Sequence, residues 1–219
     1  MGCTLNGWGV MRGELLLSSR GVWTADVEPT DDAEIVKGQT ATLVIGDLTL
    51  TGTILSGAMG VANSSFFVVG GAGGWRKKVQ RRPYFDSLGV RLSDVVRDLA
   101  TETGEKVALG SSLTSKVLGE SWVRPEGTGT DALAYLGVPW RVLPSGTTFI
   151  GPLATTEAAG IVSLRRYMAS IGRAIVDLPD SELTSVVPGS IVDFGELSMT
   201  VGTARVLVSS GSIWAELDP

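Results

Sequence analysis

FFVVGGAGGWRKKVQRR, residues 66–82, runs from an apolar strand through two pairs of glycines into the densest basic cluster of the chain. Two readings of this junction compete. Glycine lets backbone N–H groups approach an anion, so the turn could cradle a phosphate that the following cations hold. It could equally carry the chain out of one β-rich unit into the next.

Spacing goes against the phosphate. A Walker loop needs Gly, four residues, then Gly-Lys-Ser/Thr, whereas Gly73-Gly74 is followed by Trp75-Arg76, with neither lysine nor hydroxyl in place. A dinucleotide-binding turn must open a helix. Residues 75–82 reach Pro83 without an apolar helical stripe, and no βαβ pattern follows. The glycines therefore read as a flexible turn between domains.

The hydrophobic period on either side agrees with that reading. Residues 15–17, 22–27, 41–45, 48–55 and 66–69 are short apolar or alternating runs punctuated by Gly21, Gly38, Gly46-Asp47 and Gly57. Gly46-Asp47 is a two-residue hairpin turn, and five or six sequential strands in so short a span predict a small barrel. Beyond the cations, Leu92, Val95, Val96 and Leu99 fall at helical spacing, with Ser93 as candidate cap and Gly104 as stop. A second helix is predicted over residues 130–136 with Thr130 as cap, and strands near 106–109, 140–143 and 147–150 complete a small α+β unit. Strand patterns return at 173–178, 190–194, 198–201, 204–209 and 212–217. Residues 164–171 fit either a helix or a strand, and the strand is preferred. The expected architecture is mainly β with an α+β insertion: a first antiparallel barrel over 1–83, the α+β insertion over 84–158, and a second barrel over 159–219.

Composition narrows the chemistry. The 219 residues contain no histidine and one cysteine, Cys3. Without histidine there is no Ser-His-Asp triad, Cys-His pair or histidine-ligated zinc, and one cysteine permits no internal disulfide. A net charge of −5 argues against a general nucleic-acid binder. No run of about 18 apolar residues occurs, no secretory leader is expected, and Met1-Gly2-Cys3 misses the acylation pattern because position 6 is Asn6. Neither a membrane anchor nor a cofactor or metal site is expected.

Arg76, Lys77, Lys78, Arg81 and Arg82 place five positive charges in seven residues. They are either a contact surface for an acidic partner or a solvated loop, and they are the candidate partner-binding residues. Asp31, Asp32 and Glu34, with Asp177, Asp180 and Glu182, could in principle supply the facing carboxylates of a glycosidase. Both groups fall in loops of Pro, Thr and Ser, where solvated turns are the simpler reading. The six tryptophans, Trp8, Trp23, Trp75, Trp122, Trp140 and Trp214, are scattered as core and interface anchors rather than as a sugar-binding row.

Three stretches, in this order, carry a resemblance. They are residues 21–27 (GVWTADV) with the strand pair ending at Leu50-Thr51-Gly52-Thr53; residues 68–75 (VVGGAGGW) leading to 89–95 (GVRLSDV); and Pro188-Gly189-Ser190-Ile191-Val192 followed by Ala204-Arg205-Val206 and Trp214-Ala215-Glu216-Leu217. In order and spacing the chain resembles tail-tip or baseplate hub proteins of tailed bacteriophages and phage-derived particles, the group that includes the late-control tail proteins. The resemblance implies a non-enzymatic virion protein, a homotrimer whose paired barrels mimic the six-fold tail tube. Such a protein closes the tube and joins it to spike, fibre or tape-measure proteins, as a cap or as an intermediate ring of the tip. Nucleic acid is a partner only if this chain lines the tail lumen. The alternatives are a receptor- or carbohydrate-binding β module and, behind it, a cell-wall glycosidase.

Overall fold

The computed structural model of the chain describes residues 2–30, 34–59, 64–158, 162–209 and 212–219. Its first strands are β1 (Cys3–Leu5), β2 (Trp8–Ser18), β3 (Thr24–Pro29), β4 (Thr40–Ile45), β5 (Leu48–Met59) and β6 (Ser64–Gly70). They pair in the order β1-β4-β5-β6-β3-β2, and β1 also pairs with β2, so the six close into an antiparallel barrel. Alternation explains why. Leu15 and Leu17, Ala25 and Val27, Leu43 and Ile45, Leu50 and Ile54, and Phe66 and Val68 are buried at every second position and fill one interior.

Two tight turns set the register. Gly46-Asp47 joins Ile45 to its partner Leu48, as the sequence predicts. The other was not read from the sequence: Asn6-Gly7 joins Leu5 to Trp8 with φ of 51° and 87°, the conformation that a two-residue turn of Asn and Gly favours. Asn6 also extends the sheet with its side chain. Its Oδ1 accepts the Thr42 N–H at 2.7 Å and its Nδ2 donates to the Thr40 carbonyl at 3.1 Å.

The middle of the chain contributes β7 (Lys78–Val79), β8 (Arg82–Phe85), α1 (Leu92–Thr103), β9 (Val107–Leu109), β10 (Ser121–Arg124), β11 (Gly127–Thr128), α2 (Gly129–Tyr135), β12 (Trp140–Val142) and β13 (Thr148–Ile150). β7 and β8 pair antiparallel with β11 and β10, and β13 lies between β12 and β9. Helix α1 buries Leu92, Val95, Val96 and Leu99, the stripe seen in the sequence, and ends at Gly104 with φ 80°. The caps differ from expectation. Arg91, not Ser93, precedes α1 and makes no side-chain cap bond. In α2 the cap is Thr128 rather than Thr130, because Thr128 and Asp131 satisfy each other's backbone N–H in a capping box.

The C-terminal part holds β14 (Thr156–Glu157), β15 (Ser163–Met168), β16 (Arg173–Asp177), β17 (Ser190–Asp193), β18 (Ser198–Thr200), β19 (Thr203–Ser209) and β20 (Ser212–Asp218). The strand reading of 163–168 holds. β14, β17 and β18 form a small sheet, while β19, β20, β16 and β15 continue the barrel sheet outward from β2 to give ten strands. β2 can serve both because its edge is divided. Trp8 and Gly9 face β1, Arg12 to Ser18 face β19, and a register shift against β3 falls between, at Val10/Arg12.

Candidate interaction surface

The glycine turn after β6 is a clamp rather than a flexible link. Gly71 and Gly73 have φ of 75° and 72°, which turns successive N–H groups inward. An anion does sit there, and it belongs to the chain: Glu105, 7% exposed, accepts the Ala72 N–H at 3.0 Å and the Gly74 N–H at 2.6 Å. A Cβ on Gly71 would stand 2.6 Å from Glu105 Oε2, so the turn needs glycine there to let the carboxylate in. Trp75 locks the next residue. It is buried, donates from Nε1 to Thr148 Oγ1 at 2.7 Å and packs against Trp140 with ring centroids 5.9 Å apart.

The five cations then divide. Lys77 donates from Nζ to the Thr103 carbonyl at 2.8 Å, neutralising part of the negative end of α1. Arg82 pairs with Asp98 at 3.0 Å and lies 5.4 Å from the Tyr84 ring centroid. Arg76, Lys78 and Arg81 are exposed, and among the described residues they have no ion pair or side-chain hydrogen bond. The structure thus leaves three of the five free to meet a partner, because α1 sits close enough to take the other two.

A residue that the sequence reading missed anchors the β8–β10 strand pair. The buried Arg124 donates to the Gln80 carbonyl at 2.9 and 3.2 Å and pairs with Glu102. Burial pushes the Glu102 carboxyl upward, but hydrogen bonds from Gln80 and Arg124 and the nearby guanidinium charges outweigh it and hold the group below its ordinary range. A buried guanidinium needs such partners, here the Gln80 carbonyl between β7 and β8 and Glu102 on α1, and no pattern along the chain signals the pairing.

A second charged surface runs across the outer face of the ten-stranded sheet. Arg205 grips Glu14 in a two-pronged pair at 2.8 and 2.9 Å, and Arg173 binds Asp218 at 2.7 and 3.0 Å. Asp26, directly opposite Glu14, has no cation of its own among the described residues; burial and the neighbouring Glu14 charge raise its pKa.

The other sequence candidates separate. Asp31 and Asp32 lie outside the described residues. Asp177 is taken by Arg165 in an ion pair, and Glu182 accepts from Ser185 Oγ at 3.3 Å. Trp23, Trp75 and Trp140 are buried in the core, whereas Trp8 is 37% exposed. Among the described residues no group of three or more metal-binding side chains occurs, and no helix is long and apolar enough to cross a membrane.

Solved structures match this arrangement over its whole length. The 43 kDa tail protein of prophage MuSo2 from Shewanella oneidensis superposes with a TM-score of 0.67 at 12% identity, covering 98% of this chain and 95% of that one. A tail protein from Neisseria meningitidis gives 0.68 at 14% identity, covering 100% and 97%. The chain has a phage tail-protein fold. The same tail-protein fold occurs in an E. coli component of the type VI secretion system, described as structurally similar to the T4 tail proteins gp27 and gp5, with a TM-score of 0.66 at 12% identity over 100% of this chain and 77% of that one. No protein-family model matches the sequence, and no curated protein matches it. The likeness is therefore one of fold, carried by topology and not by shared residues.

Proposed function

We propose that this chain is a non-enzymatic structural subunit of a phage tail tip or baseplate hub, of the late-control type, located in the virion tail. It forms a homotrimer, closes the tail tube and connects it to spike, fibre or tape-measure proteins. The observation that carries this reading is the full-length match to the tail-protein fold. Two features support it. β15 ends the ten-stranded sheet with a ladder edge, five of its six residues exposed and Met168 half-buried, an edge that a neighbouring subunit would cover. Arg76, Lys78 and Arg81 form a charged surface with no partner among the described residues, suited to an acidic neighbour. On this reading residues 1–83, 84–158 and 159–219 are the first barrel, the insertion and the second barrel of the subunit.

The test is size and location. Light scattering of the purified chain should give three times the monomer mass of 22.9 kDa, and electron microscopy of particles carrying a tagged chain should place the tag at the tail end. A stable monomer with no affinity for tail components would refute the proposal.

A further inference from the structure

The insertion carries an uncovered apolar ribbon. β8 and β10 put Tyr84 and Trp122 on the inner face, where their rings meet tilted at 48° with centroids 5.8 Å apart, and this leaves Pro83, Phe85 and Val123 on the outer one. Phe85 is 80% exposed, and Leu88 in the following turn is 88% exposed. Two large apolar side chains so open to water, on one ribbon, mark a docking surface. At the root of the ribbon stand Lys78 and Arg81, exposed and unpaired among the described residues.

The same chain carries a surface of opposite character. Between β2, β3, β19 and β20 lies a concavity of about 300 Å³ whose charged lining is Arg12, Glu14, Asp26 and Glu28, three carboxylates against one guanidinium. Glu14 is already committed to Arg205, and Arg12 stands opposite Glu28 in the register. Among the described residues Asp26 remains without a cation. Leu207 and Trp214, paired across β19 and β20, form an apolar wall beside it.

We infer that the ribbon of one copy docks on this concavity of a second copy, with Lys78 and Arg81 meeting Asp26 and Glu28 and the apolar side chains meeting Leu207 and Trp214. The inference rests on the homo-oligomer proposed above and adds which surfaces meet. Because the two patches are different surfaces of one molecule, the contact is head-to-tail, the kind that builds a ring when its rotation closes. It places an aromatic anchor beside desolvated charge pairs, the arrangement in which interface energy concentrates.

Charge exchange in the full chain tests it. Sedimentation at a series of concentrations in low salt should show association weakened at least about tenfold by Lys78→Glu with Arg81→Glu, and likewise by Asp26→Lys with Glu28→Lys. Combining all four should restore most of it. Phe85→Ser with Leu88→Ser should weaken association while leaving the far-ultraviolet circular dichroism and the thermal midpoint close to wild type. A wild-type oligomer indifferent to either charge exchange, or to the apolar pair, overturns this contact and leaves the tail-subunit reading intact. A wild-type chain that stays monomeric overturns both.

Discussion

Glu105 Oε1 accepts the backbone N–H of Gly74 at 2.6 Å, across 31 residues of sequence, and so the glycine turn is closed by a carboxylate from the far side of α1. A turn built to hold an anion is thereby filled from within. Removing the carboxylate leaves the N–H groups of Ala72 and Gly74 without their acceptor. Glu105→Ala is expected to destabilise the fold by about 2–4 kcal/mol, and Glu105→Gln by less, since one amide oxygen still accepts. Urea denaturation measures both, and equal stability of Glu105→Ala and wild type would contradict the clamp.

Asn6 supplies a left-handed turn residue and two hydrogen bonds to β4. Asn6→Ala loses both functions and should cost about 2 kcal/mol, whereas Asn6→Gly keeps the backbone geometry and should cost about half as much. Thermal melts of the two variants separate the contributions. A Gly variant as unstable as the Ala variant would assign the whole effect to the side-chain bonds.

Across the seam between β2 and β19 the hydrogen bond from Arg205 lowers the Glu14 pKa, against the upward push of burial and with help from the guanidinium charge. A depressed carboxylate stabilises the fold above its unfolded pKa, near 4.5, and that stability is lost as the pH falls through the lower folded value. Both side chains are more than 40% exposed, so the contribution is below about 1 kcal/mol. Arg205→Gln should reduce stability at pH 7 by that small amount and by nothing near pH 2.

Asp26 has the opposite sign. Its pKa is raised by burial and then by Glu14, so the folded state holds a proton that the unfolded state releases at the same pH. Stability from this group therefore increases as the pH falls from the raised value toward the ordinary 3.8. Asp26→Asn should raise the stability of the unassociated chain at pH 7 and remove this gain on acidification. A denaturation series from pH 7 to pH 4, at a concentration where the chain is monomeric, checks both.

Cys3 is 5% exposed, and burial pushes its thiol up to about 12. Iodoacetamide at pH 8 should leave the native chain unlabelled and label it after unfolding. Rapid native labelling would mean that β1 detaches from the barrel.

What the sequence made legible was local. The change from period two to the helical stripe of Leu92, Val95, Val96 and Leu99 located α1, and Gly46-Asp47 located a hairpin, because each signal is complete within a few residues. Asn6-Gly7 is equally local, but the strand before it, Cys3–Leu5, is three residues long, too short for alternation to show. The remaining differences arise from partners distant in sequence. Lys77 and Arg82 looked like free cations until Thr103 and Asp98 on α1 stood beside them. Glu105 filling the glycine turn and Arg124 filling the base of the ribbon belong to the same class, since no pattern along the chain ties either to its acceptor or donor.

β2 leaves the ribosome about 190 residues ahead of β19, its partner from Arg12 to Ser18. Until then that stretch of strand carries a row of unanswered amides, next to the alternating apolar residues of a half-closed ring. Pairings this remote are slow to form, and a ribosome-bound chain halted before β19 presents a template for any other unfinished copy. The strand that welds the two β regions together is therefore also where polysomes translating this message are most exposed to co-translational aggregation.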